Sequence, residues 1–249
     1  MKPPTEQPAE TLTIPDALDL SFEGFGPEAF AILDRLREEP HIEQYRKEKE
    51  DGALAHHLKD PFKRYRDDLV VNWVIPNRLD YETEKHVFSR LLKNDFGAGG
   101  CHHHKWMAFY REGYRRLTDL QLTHSINPDG FAVGLFVGEY GEELLMQAQE
   151  RIEDEPKRFL SLVNPLLEDD WVFYYYRGSG ASKKKTYHRE PLDEVPEAVH
   201  ETKGLWIRRR FSREDVLAWN AGLVRRALEA VLAVWPVYRL FGSGSEVET

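Results

Sequence analysis

Cysteine is almost absent from this chain: Cys101 is the only one in 249 residues. One thiol excludes an intrachain disulfide framework and a four-cysteine zinc cluster within a single copy. Positive charge is also in deficit, with 34 Lys and Arg against 43 Asp and Glu and a formal charge of −9. That balance argues against a general nucleic-acid binder, although it leaves room for a local basic patch. Long apolar runs are missing as well. No window approaches the roughly 18 to 20 uninterrupted apolar residues of a membrane-spanning helix, and the most apolar C-terminal stretch, residues 227–240, is interrupted by Glu229 and Arg239. Residues 1–16 hold four prolines and one lysine but no signal-peptide core. A cytoplasmic location without membrane contact is the expectation, and a lone reduced cysteine fits it.

What remains is an ordinary folding composition, 41% apolar and 31% charged. Residues 1–16 read as a flexible arm, because prolines remove donors and the small polar residues offer little to bury. Pro27 opens a helix running to about Glu39, with Phe30, Leu33 and Leu36 about a turn apart. Residues 41–59 form an exposed helix or two short ones around Gly52, and a further helix covers residues 61–73, limited by Pro76. The period then changes. Trp106, Ala108 and Tyr110 alternate with Met107 and Phe109, and Leu120, Leu122, His124 and Ile126 alternate with Gln121, Thr123 and Ser125. Asn127-Pro128-Asp129-Gly130 is a turn, and Phe131, Val133, Leu135 and Val137 complete a hairpin with Gly134 on the opposite side. Residues 142–167 are helical and divided by Pro156. An aromatic strand at residues 171–177 is followed by a loop at residues 178–185, a short strand near 185–189, a short helix near 195–200 and a strand at 205–211. A final helix is capped by Ser212 with Asp215 three residues on, and Pro236 is expected to end it.

The order of elements specifies an α+β fold: a largely antiparallel central sheet covered by helices, with a long C-terminal helix. The last helix should pack on one face and the middle helices on the other. The division is an arm at 1–16, one domain at 17–241 and a polar tail at 242–249.

Two groups of residues carry chemistry. In Cys101-His102-His103-His104 an extended backbone would point His102 and His104 the same way, so the two imidazoles could converge on zinc or iron. A third ligand would have to come from elsewhere, with His56, His57, His124 or Glu139 as candidates. The second group is basic and aromatic. Residues 178–213 hold nine basic and five acidic residues, while residues 139–170 hold ten acidic and three basic ones. Lys183, Lys184, Lys185, Arg208 and Arg210 could supply charge to a phosphate or carboxylate, with Tyr110, Tyr174 and Tyr176 shaping an apolar wall. The loop lacks the spacing of a nucleotide P-loop, and no Gly-x-Ser-x-Gly nucleophile elbow occurs.

The order of pieces resembles the bacterial and fungal family called domain of unknown function 2461. The resemblance is carried by Phe22 to Phe25 ahead of a helix, the Trp106-Met-Ala-Phe-Tyr-Arg111 strand, the Asn127-Pro-Asp-Gly130 turn, the glycine-bearing strand at 131–138 and the Arg210-Phe-Ser212 entry to a final helix. It implies an α+β fold and lends no reaction. The functional expectation is a non-catalytic binding protein for an anionic small molecule or a protein partner. The alternatives are a metal-dependent hydrolase using His102 and His104, with the metal activating water, and a protein that binds single-stranded nucleic acid by base stacking.

Overall fold

The structure is a computed structural model that describes residues 3–93, 97–178 and 182–242. Its centre is a seven-stranded sheet in the order β1-β2-β3-β4-β7-β5-β6, every neighbouring pair antiparallel. The strands are β1 (Tyr81–Glu82), β2 (Lys105–Arg111), β3 (Gln121–Asn127), β4 (Gly130–Gly138), β5 (Trp171–Arg177), β6 (Lys184–His188) and β7 (Gly204–Ser212). The helices are α1 (Pro27–Glu38), α2 (Ile42–Glu50), α3 (Asp60–Leu69), α4 (Glu142–Asp154), α5 (Pro156–Glu168), α6 (Arg213–Trp219) and α7 (Leu223–Gly242). The α+β reading therefore holds, with a long C-terminal helix.

The β3–β4 hairpin shows how local chemistry sets register. The Asn127 Oδ1 accepts from the amides of Asp129 (2.8 Å) and Gly130 (3.1 Å), closing the turn. Leu122 then faces Leu135 and His124 faces Val133, so the apolar sets of both strands share one side. The Ser212 cap forms as its sequence context predicts, its Oγ accepting from the Asp215 amide at 3.0 Å.

Three expectations require correction. First, α4 and α5 do not cover the second face of the sheet. Phe159 of α5 packs on Phe173 of β5 (5.5 Å between ring centroids) and on Phe241 of α7 (6.3 Å). Apolar residues of α1, α3, α4, α5, α6 and α7 all join one core with Met107, Phe109, Leu122, Val133, Phe173 and Ile207. Those strand residues belong to a single side of the sheet, so the α-helices form one layer and, among the described residues, leave the opposite face open.

Second, the last helix neither runs unbroken from Ser212 nor stops at Pro236. It breaks at Asn220 (φ 48°), restarts at Leu223 and passes through Pro236 to Gly242. An internal proline costs roughly 3 kcal/mol. Beyond it Val237, Tyr238, Leu240 and Phe241 are all buried, and each contributes about 1.5–3 kcal/mol. Burial wins over propensity.

Third, the segment expected to be a flexible arm is docked on the domain, with Pro4 and Thr5 already buried. The Trp235 Nε1–H donates to the Gln7 carbonyl at 2.9 Å, and Arg225 Nη2 donates to the carbonyls of Pro15 and Asp16. Its prolines open two short 3-10 turns, at Pro4–Glu6 and after Pro8 at Ala9–Thr11, while its carbonyls serve donors of α7. Residues 243–249 of the expected tail lie outside the described residues, while Gly242 is the buried last residue of α7.

Candidate ligand-binding site on the open face

Alternation along each strand decides what the open face presents. It shows Trp106, Ala108 and Tyr110 from β2, Gln121, Thr123 and Ser125 from β3, and Ala132, Gly134 and Phe136 from β4. Trp206 and Arg208 follow from β7, and Val172, Tyr174 and Tyr176 from β5. Ala108, Tyr110, Ala132, Val172, Tyr174 and Tyr176 are buried yet stand apart from the helix-packed core. Much of this second layer surrounds a concave cavity of about 650 Å³. That is the size range of small-molecule sites.

One wall is an aromatic ladder built by register. Phe136 pairs with Trp206, Trp206 with Tyr174, and Tyr174 with Tyr187. Their rings stack in that order, with centroids 4.2, 5.7 and 5.0 Å apart. The floor beside the ladder is made of small residues. Gly134 lies between Thr123 and Arg208 in the register, and a Cβ there would sit 2.3 Å from the Ile207 carbonyl oxygen and 2.4 Å from the Arg208 Cβ. Glycine is required for β4 and β7 to approach this closely, which answers its place in the sequence pattern. Gly138 and Gly204 seat the rings of Phe136 and Tyr176, which lean over them and away from Gly134.

Charge in the cavity is unevenly compensated. The Arg208 guanidinium lies 5.1 Å from the Tyr174 ring centroid and 5.8 Å from that of Trp206. Among the described residues it has no carboxylate partner, and its Nε is buried with no acceptor. Burial draws its pKa down, the nearby tyrosines opposing. Lys183 sits 3.6 Å over the Tyr176 ring, and Lys185 also lines the cavity. The acidic lining is Glu139 and Asp129, and Asp129 is engaged by Arg37 at 2.9 Å. Burial raises the Tyr174 phenol well above its usual range and pushes Tyr176 up to about 12. Both are neutral hydroxyls at physiological pH.

Other basic residues are committed to structure. Arg111 holds the buried Asp119 through two guanidinium nitrogens (2.9 and 2.6 Å), and Lys105 Nζ donates to the Ser89 carbonyl at 2.6 Å. Arg116 donates to the Val87 carbonyl at 3.1 Å and lies 4.5 Å over the Trp106 ring. Arg209 pairs with Asp169 at 2.7 Å. Arg208 thus differs from these four in lacking a carbonyl or carboxylate partner among the described residues.

The expected site residues divide accordingly. Lys183, Lys185, Arg208, Tyr174, Tyr176 and His104 line one cavity. Lys184 is exposed on β6 and absent from the lining. Arg210 borders a smaller hollow of about 260 Å³ with Asp170, Asp215, Arg226 and Glu229. Tyr110 shares the open face, but its hydroxyl donates to the Lys85 carbonyl at 2.6 Å instead of facing the cavity. Residues 179–181 of the expected Gly178–Lys185 loop lie outside the described residues. Gln121, Phe136 and Trp206 were not foreseen as site residues. The polar side of the β3 alternation was the available signal for Gln121, whereas the other two needed the register.

The histidines divide as well. The His102 and His104 ring centroids are 5.0 Å apart, and His103 and His104 line the cavity. Burial, reinforced by His102 and His103, lowers His104 to about 4. Among the described residues no group of three or more His, Cys, Asp or Glu gathers to hold a metal. His124 cannot supply a third ligand. It is fully buried on the helix-covered face, its Nδ1 2.8 Å from the Tyr65 hydroxyl. Cys101 is also buried, its Sγ 3.6 Å from the His41 carbonyl oxygen, and burial pushes its thiol up, away from an activated thiolate.

No family model matches the sequence, and no curated protein matches it. The residues of the open face therefore carry the functional argument. No helix among the described residues is long and apolar enough to cross a membrane.

Proposed function

We propose that the chain is a non-catalytic binding protein for an anionic small molecule, held in the open-face cavity. The supporting observation is Arg208: a half-buried arginine on the cavity wall whose Nε is buried without an acceptor, flanked by aromatic rings and lacking a carboxylate partner among the described residues. A cation in that position is matched by a phosphate or carboxylate, which can accept two parallel N–H bonds. Lys183 and Lys185 add attraction at the mouth. The small floor and the ladder favour an apolar or aromatic body on the anion.

Isothermal titration and thermal denaturation with phenyl phosphate and benzoate, beside inorganic phosphate, test this reading. Ligand at 100 times its Kd adds about 2.7 kcal/mol to stability, equivalent to roughly 5–10 °C in Tm for a chain of this length. Arg208→Met should abolish the shift while the unliganded protein stays folded. Arg210→Met should retain it, since Arg210 lies outside the cavity lining. Equal binding by wild type and Arg208→Met would refute the assignment.

A further inference from the structure

Gln121 is the first residue of β3 and stands on the cavity wall. It is 1% exposed, and both its Nε2 and its Oε1 are buried without a hydrogen-bond partner. Its neighbours on the same strand are differently placed. Thr123 donates to the Gly134 carbonyl at 3.1 Å, and Asn127 accepts the two turn amides. Trp73 Nε1 and Trp171 Nε1, also buried and unpartnered, sit in the apolar core instead. A side-chain amide with both ends unpaired is uncommon inside a native fold. On a cavity wall it offers a donor and an acceptor side by side to whatever enters.

The complement of a carboxamide is an edge with an adjacent acceptor and donor, as in a cyclic amide or imide. Phe136 pairs with Gln121 in the register and gives that edge an aromatic flank. Strands β3 and β7 are separated only by β4, so their backbones stand about 9–10 Å apart. The diagonal from Gln121 to Arg208 passes between Phe136, whose ring leans over Gly138, and Gly134, which has no side chain.

We propose that the site takes a planar cyclic amide or imide bearing a phosphate or carboxylate, its N–H and C=O edge read by Gln121 and its anionic group held by Arg208. This rests on the anion-binding reading above and names the class of ligand.

Titration with three probes tests it: uridine 5′-monophosphate, which has an imide edge and a phosphate; orotate, which has an imide edge and a carboxylate; and phenyl phosphate, which has no such edge. Wild type should bind one of the first two on the order of 10- to 100-fold tighter than phenyl phosphate, and whichever binds identifies the anionic group. Gln121→Leu should erase that preference and leave phenyl phosphate affinity unchanged. Its Tm should rise, because two unpaired buried polar atoms are removed, which verifies that the variant folds. A preference absent from wild type, or surviving in Gln121→Leu, overturns the proposal. If phenyl phosphate binding still depends on Arg208, only the amide-edge assignment falls. If none of the three probes binds, the anion reading falls with it.

Discussion

The two faces of the sheet come from the same strands by the same alternation, and on β5 their side chains are buried to similar degrees. On β5, Tyr174 and Tyr176 are each 4% exposed and Tyr175 is 3% exposed. Yet Tyr175 belongs to the helix-packed core, whereas Tyr174 and Tyr176 border a cavity with an arginine and two lysines. Burial alone does not separate core from site. What separates them is the partner: apolar helix side chains on one face, and on the other a wall that mixes stacked rings, a guanidinium and an unpaired amide. The covered face spends its area on stability, and the open face keeps polar groups in positions that stability alone would not favour.

The sharpest break of this comparison is a pair of ring deletions. Phe173→Ala on the covered face removes a fully buried ring packed on Phe159 and should cost about 3–5 kcal/mol in urea denaturation. Phe136→Ala on the open face loses a half-buried ring and one stacking contact, and should cost only about 1–2 kcal/mol while weakening ligand binding. Equal losses of stability would mean the two layers are one core.

Acid sharpens the same contrast. Burial lowers His124 to about 3, against an ordinary value of 6.5. The folded state therefore keeps this ring neutral while the unfolded chain protonates it. Its contribution is complete above pH 6.5 and is lost as the pH falls toward about 3, with a slope of roughly 1.4 kcal/mol per pH unit inside that window. His124→Phe should flatten the stability profile between pH 6 and 4 by about that slope. An unchanged profile would show that His124 is not held neutral in the core.

Much of the architecture was legible in residue order. The two-residue alternation of 121–126 and 131–137, with a turn of stated chemistry between them, placed the central hairpin. The 3.6-residue stripe placed α4 and α5 on either side of Pro156. Layer assignment was not legible, because β4 is apolar on both sides: Phe131, Val133, Leu135 and Val137 on one, Ala132, Gly134 and Phe136 on the other. Nothing in that strand says which side the helices take. The passage of α7 through Pro236 was likewise hidden, since it depends on what Val237 to Phe241 meet in the folded chain. Within the site, Arg208, Lys183 and Lys185 were visible as charge and Tyr174 and Tyr176 as alternation. The ladder was not visible, because it joins residues 136, 206, 174 and 187 through pairings that only the strand order β4-β7-β5-β6 creates. Arg210 was overcalled for the same reason. It shares a strand face with Arg208 but borders a different hollow.

Gly134 is where fold and site depend on one atom. Its backbone is not in the left-handed region, so a side chain would be resisted by space and not by φ. An added Cβ would meet the Ile207 carbonyl oxygen at 2.3 Å and the Arg208 Cα at 2.7 Å. These are backbone atoms of the central β4–β7 pair and cannot swing aside. Gly134→Ala should therefore push the two strands apart locally and cost about 1–3 kcal/mol, the usual range for overpacking. That is a smaller loss than Phe173→Ala, but it falls on the residue that carries the charge. The displacement moves Arg208 relative to Tyr174 and Trp206, so anion affinity should drop in Gly134→Ala even at temperatures where the variant is fully folded. Titration with phenyl phosphate beside urea denaturation separates the two effects. A loss of stability without a loss of affinity would mean that Arg208 is positioned by its ring neighbours and not by the close approach of β4.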